Sequence, residues 1–177
     1  MHPDMRYPIG KFKRPDKRLT DVQRSTFIGQ IAEMPSRLSD AVAGLSSAQL
    51  DTPYRPGGWT VRQLVHHIAD SHMNAFARFK LTITEDLPTV KTYDEALWAE
   101  LADTKAPPIE PSLAIVENLH KRWVMLLRSL RPTDWARRFR HPGWGLADID
   151  FLLAQYAWHS RHHVAHITAL RERSGWR

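Results

Sequence analysis

The chain has 177 residues, a formal charge of +6 at pH 7, ten histidines and no cysteine. That length suffices for one domain with a full core, expected to span 1–177, and the missing thiols exclude a disulfide framework, Cys-ligated zinc and a cysteine nucleophile. The opening residues carry no apolar signal stretch and no later run reaches the ~18 apolar residues of a membrane span, so a cytoplasmic protein without a membrane partner is expected.

Residues 1–18 form a basic arm holding Lys11, Lys13, Arg14, Lys17 and Arg18, and a second basic cluster is Arg137, Arg138 and Arg140. Few aromatics interleave the arm, which reads as a solvated tail rather than a nucleic-acid interface; no nucleic-acid partner is expected. From Leu19 to about Leu45, Val22, Phe27, Ile31, Leu38 and Val42 fit a helix that Pro35 should kink or split. Ser46 to Leu50 reads as one helical turn, and 51–58 as punctuation. Thr60-Val-Arg-Gln63 matches a capping box, so a long helix starts there and runs through Leu64, Ile68, Phe76 and Phe79 to about Glu85. Tyr93 to Leu101 can form a short helix, 106–111 is a proline-rich loop, and Ser112 opens a third long helix that ends before Pro132. His141-Pro-Gly-Trp-Gly carries too many breakers for a regular element. Asp148 caps a fourth long helix, which runs to Arg173 before Gly175. Four long amphipathic helices with almost no β pattern predict an all-α four-helix bundle with long inter-helix connections.

The densest chemical signal is His159-Ser-Arg-His162-His163-Val-Ala-His166. Two histidines four apart sit about one helical turn from each other, so both imidazoles can reach one ion. Ile149, Leu152, Leu153, Tyr156, Ile167 and Leu170 share a helix face with His163 near its centre and His159 at its edge. His166 lies further round, and His162 points furthest toward the polar side, which makes His159 and His163 the inward pair. The second helix offers His66, His67 and His72, and periodicity does not choose among them: His72 is mid-face, His67 is on a flank and His66 points largely away. His141 either overhangs the bundle mouth or is a solvated loop residue.

Pro56-Gly-Gly-Trp-Thr-Val-Arg-Gln-Leu-Val-His-His-Ile-Ala-Asp-Ser-His-Met-Asn, followed by Arg78-Phe-Lys-Leu and Thr84-Glu-Asp, resembles the YfiT branch of the DinB-like family. So do Tyr7-Pro-Ile-Gly-Lys-Phe, His120-Lys-Arg-Trp and Tyr156-Ala-Trp-His-Ser-Arg-His-His-Val-Ala-His, which extend the resemblance over nearly the whole chain. It implies a four-helix bundle, a homodimer, and either metal-dependent hydrolase or bacillithiol transferase activity. It also implies one divalent ion held by three histidines, one from the second helix and two from the fourth. On this sequence those positions match His67, His159 and His163. The wider family's Gly-Gln after the last ligand is replaced here by Val164-Ala-His166, which leaves His166 without an assigned role.

Three neutral imidazoles suit zinc or nickel, and three protein ligands leave a coordination position open. His159 is followed by Ser160 and Arg161, not by the glutamate that a His-Glu-x-x-His hydrolase uses as its base. The expected function is therefore transfer of a low-molecular-weight thiol, of the bacillithiol type, to a small electrophile. A hydrolase using metal-bound water is the alternative, and a non-enzymatic, metal-stapled bundle is the second. Arg161, Arg78 and Lys80 are cations available to an acidic thiol, without assigned geometry, and Asp70 is either support for the site or a solvent-facing residue.

Overall fold

A computed structural model of the protein describes residues 4–176. In chain order the elements are α1 (Asp21–Val42), α2 (Ser47–Leu50), α3 (Val61–Thr84), α4 (Glu95–Trp98), α5 (Ala102–Lys105) and α6 (Glu110–Arg128), then a 3-10 turn (Asp134–Ala136), strands β1 (Arg138–His141) and β2 (Gly145–Asp148), and α7 (Ile149–Ser174). The first three helices start with the same chemistry. Thr20, Ser46 and Thr60 each accept the amide of a glutamine three residues on, whose side chain accepts the cap amide in return. Asp148 accepts from the Phe151 amide at 2.8 Å to open α7, and Gly175, at φ 64°, closes it in the left-handed conformation.

Each of α1 and α3 packs against both α6 and α7, so the order round the bundle is α1, α6, α3, α7. Of the long helices consecutive in the chain, α1 and α3 are thus diagonal, as are α6 and α7, whereas α3 and α6 are neighbours. Two apolar clusters fill the interior. One contains Ile31, Phe79, Trp123, Phe139, Leu152 and Leu153; the other contains Met34, Leu38, Leu64, Val65, Ile68 and Ile167. On α3, α6 and α7 the boundary between the clusters falls where the histidines are: His72, His120, and His159 to His166. The histidines therefore form a polar layer across the middle of an otherwise apolar bundle.

Several expectations are corrected. Pro35 lies inside α1 without splitting it. Residues 93–101 hold only the short α4, and α5 follows separately. α6 begins two residues before Ser112, with Pro111 in the first turn, where its missing N–H would have no intrahelical partner anyway. The breaker-rich stretch is the turn of a hairpin: β1 and β2 pair antiparallel from Arg138↔Asp148 to His141↔Gly145 around residues 142–144, with Gly145 at φ 70°.

From residue 4 onward the basic arm is not a free tail. Phe12 packs edge-on against Phe151, the Trp158 indole N–H donates to the Gly10 carbonyl at 3.2 Å, and Arg14 donates to the Leu146 carbonyl at 2.8 Å. Its charged side chains stay exposed while its backbone and aromatics dock on α7. Arg137 is also committed, donating to the Thr82 and Glu85 carbonyls at the end of α3. No helix among the described residues is long and apolar enough to cross a membrane.

Candidate metal centre

His67 from α3 and His159 and His163 from α7 each bring one ring nitrogen within 4.8 Å of the others. His159 Nε2 and His163 Nε2 are 3.0 Å apart, and the His67 ring centroid is 5.0 Å from that of His163. Metal–nitrogen bonds of about 2.0–2.1 Å place the nitrogens of a tetrahedral ion roughly 3.4 Å apart. The triad's nitrogens lie within 4.8 Å of one another, with one pair at 3.0 Å, which brackets that spacing, so the residues present fit an ion. Their charge state fits as well. Burial lowers His67 to about 4 and holds His159 and His163 well below the ordinary histidine range, with neighbouring imidazoles adding to it at His159 and His163. Neutral imidazole is the form that binds a metal.

The structure places the other sequence candidates outside this group. His72 is fully buried with both nitrogens engaged, Nδ1 at 2.7 Å from His120 Nε2 and Nε2 at 3.2 Å from His159 Nδ1. It stands behind His159 rather than beside it. His66 faces α6, with Nδ1 2.7 Å from Ser112 Oγ. His162, expected toward solvent, is buried because Trp158 stacks on it with centroids 4.4 Å apart, and its Nε2 lies 3.2 Å from His166 Nε2. His141 is not a solvated loop residue either. It is buried, stacked on Trp144 at 3.8 Å, and its Nδ1 accepts the Gly143 and Trp144 amides, which puts the ring hydrogen on Nε2. Burial and the nearby Arg78 lower His141 to about 4. Asp70, raised to about 6 by burial and by Asp103, lies outside the triad.

The triad forms part of the wall of a cavity of about 650 Å³. Trp59, Trp144 and Trp158 supply aromatic walls, and Arg6, Arg55 and Arg78 supply positive charge; Glu95 is the one acidic residue among the described lining. Arg78 is buried and lies over the Trp144 ring. Its Nη1 donates to the Tyr156 hydroxyl at 3.3 Å and its Nη2 to the Lys91 carbonyl at 3.1 Å, while its Nε has no partner. Of the three cations singled out from the sequence, Arg78 alone borders this cavity. Sequence reading missed Arg6, Arg55, Trp59, Glu95 and Trp144. They come from the arm, the loops, a short helix and the hairpin turn, where no periodicity betrays which side chain faces the bundle.

A family model described as the DinB superfamily matches residues 30–167. The chain is 52% identical over 175 residues to proteins of Bacillus cereus (strain AH820) and Bacillus anthracis (strain A0248) named "putative metal-dependent hydrolase", across 98% of this chain and 99% of theirs. It is similar to a solved structure of YfiT from Bacillus subtilis, described as "a probable metal-dependent hydrolase with an unusual four-helix bundle topology". That match has a TM-score of 0.94 and 46% identity and covers 98% of this chain and 99% of that one. A likeness of fold alone extends to the four-helix bundle protein TT2238, at a TM-score of 0.57 and 18% identity over 82% of this chain and 98% of that one. The chain belongs to the DinB superfamily, and its fold is the four-helix bundle of the YfiT type.

Proposed function

We propose that the chain is a metal-dependent enzyme in which His67, His159 and His163 hold one divalent ion, zinc or nickel, and that it transfers a low-molecular-weight thiol of the bacillithiol type to a small electrophile. The observation that carries this reading is a three-histidine group in a cavity wall, joined by no carboxylate among the described residues. An ion held by neutral ligands keeps its full positive charge, and three protein ligands leave it a position for a substrate. When bound, such an ion supplies Lewis acidity, so that a coordinated thiol loses its proton near neutral pH without a separate protein base. The chain's own residues would orient the rest. Arg78, buried with an unpartnered Nε–H, suits a carboxylate on the thiol, and Arg6 and Arg55 add positive charge to the same lining. His141 offers its Nε2–H as a donor, and the three tryptophans limit access of water.

Hydrolysis is the second reading. It is favoured by the names of the relatives and by Glu95, which supplies a carboxylate in the cavity for taking a proton from water. One preparation separates the two. Metal-loaded protein should accelerate conjugation of bacillithiol to an alkylating electrophile, lose that acceleration on chelation, and keep it in Glu95→Gln. Thiol-independent ester hydrolysis that falls ~100-fold in Glu95→Gln would give the site to hydrolysis. Metal binding with neither activity would leave a metal-stapled bundle.

A further inference from the structure

The three candidate ligands differ in what stands behind them. His163 Nδ1 is buried without a partner, whereas His159 Nδ1 lies 3.2 Å from His72 Nε2. From His72 a row of contacts crosses the bundle. His72 Nδ1 is 2.7 Å from His120 Nε2, and His120 Nδ1 is 2.7 Å from the carbonyl oxygen of Ile31 in α1. A contact between two imidazoles does not say which nitrogen carries the hydrogen. The last contact removes the ambiguity. A carbonyl oxygen only accepts, so His120 carries its hydrogen on Nδ1 and, when neutral, has a bare Nε2. That bare nitrogen must receive the Nδ1–H of His72, whose Nε2 is then bare and must receive the Nδ1–H of His159. The row ends in a bare Nε2 on His159, the atom 3.0 Å from His163 Nε2 inside the triad.

The Ile31 carbonyl is available because of Pro35. In a helix that carbonyl would accept the N–H of the residue four positions on, and proline has none. Ile31, His72 and His120 are all at most 1% exposed, so no solvent competes for the freed oxygen or for the ring nitrogens. A buried carbonyl that lacks its helical partner demands a donor from elsewhere, and His120 is that donor.

We propose that Pro35, His120 and His72 form a positioning device for the ion site. Pro35 frees an acceptor in α1, and His120 and His72 pass its polarity across the bundle so that His159 presents a bare Nε2. His72 and His120 are then positioning residues that act through His159, which rests on the reading of His159 as a ligand. The direction of the row does not depend on an ion.

Two measurements test this on the full-length, zinc-loaded protein labelled with ¹⁵N-histidine. Long-range ¹H–¹⁵N correlation should show His159, His72 and His120 all protonated at Nδ1. Free neutral histidine in water prefers Nε2–H, so packing alone would not produce this signature. An Nε2–H form at His72 or His120 overturns the proposal, and this readout needs no variant. In His120→Phe, which keeps a ring against Trp123, His72 should become a tautomer mixture, as should His159 once zinc is removed, and zinc affinity should fall about 10–100-fold. His120→Gln should recover most of that loss, because its amide N–H can donate to Ile31 while its oxygen accepts from His72. Unchanged tautomers or full zinc affinity in His120→Phe would sink the device. His159→Ala tests the underlying reading separately: retention of zinc there removes His159 as a ligand. Loss of zinc there with none in His120→Phe removes the positioning role alone.

Discussion

Helix α7 carries two histidine pairs of identical spacing, and they end in different surroundings. The inner pair, His159 and His163, has its Nε2 atoms 3.0 Å apart; the outer pair, His162 and His166, has them 3.2 Å apart. Both border the same cavity. The inner pair meets His67 from α3, while the outer pair is joined by no third histidine or carboxylate among the described residues. The outer pair's neighbours are aromatic instead, with Trp158 stacked on His162 and the Tyr54 ring 4.3 Å from that of His166. An i, i+4 spacing thus supplies two donors anywhere on a helix, and the facing helix decides whether they become a site.

The largest expected effect separates the pairs directly. His67→Ala, His159→Ala and His163→Ala should each weaken zinc binding by more than the ~10–100-fold typical of losing a supporting residue, whereas His162→Ala and His166→Ala should change it only slightly. Metal content after dialysis against a chelator reads this out, and equal loss from both pairs would erase the distinction. A smaller effect is expected from pH. Burial lowers His162 to about 4, and burial together with the neighbouring His162 lowers His166 to about 3, against about 6.5 in the unfolded chain. As pH drops below about 6.5 the unfolded chain takes up protons that the folded one refuses, so the outer pair's contribution to stability falls between about 6.5 and 3 and levels off below. In metal-stripped protein, urea midpoints should decline across that window, and the double variant His162→Gln/His166→Gln should decline less steeply. An unchanged slope would mean that the outer pair is not held neutral by the fold.

The difference between the pairs was partly legible in the sequence. The inward face built from Ile149, Leu152, Tyr156 and Ile167 picked His159 and His163, because helical periodicity reports which side chains meet the bundle interior. It also set His162 toward solvent, and there it failed. A wheel knows the helix but not what lies over it, and Trp158 and the arm bury that side. Periodicity left His66, His67 and His72 open, and the resemblance chose His67. Geometry gives a reason the wheel could not: both nitrogens of His72 are consumed, one by His120 on α6 and one by His159 on α7. Pro35 read as a break, since proline costs a helical hydrogen bond. That the freed Ile31 carbonyl finds its donor on another helix is a tertiary fact with no local trace. The hairpin was unread for a similar reason, because its strands are four residues each and much of their pairing is to each other.

The smallest expected effect concerns the cover over the outer pair. Phe12 packs against Trp158 and Phe151 with centroids 5.9 Å and 5.8 Å away, and the Trp158 indole both stacks on His162 and donates to the arm's Gly10 carbonyl. Phe12 is only partly buried, so Phe12→Ala should cost about 1–2 kcal/mol, less than the ~3–5 kcal/mol of emptying a full core site. Its more telling consequence is electrostatic. An arm that docks less tightly lets water reach His162, whose depressed pKa is caused by burial, so the His162 titration followed by NMR should move up from about 4 toward the ordinary value. Zinc affinity should not change, because the three candidate ligands stand on α3 and α7 and none of them on the arm. If zinc binding weakens as much as the arm loosens, the two pairs are coupled through the short span of α7 they share, and the inner site depends on the cover that distinguishes the outer one.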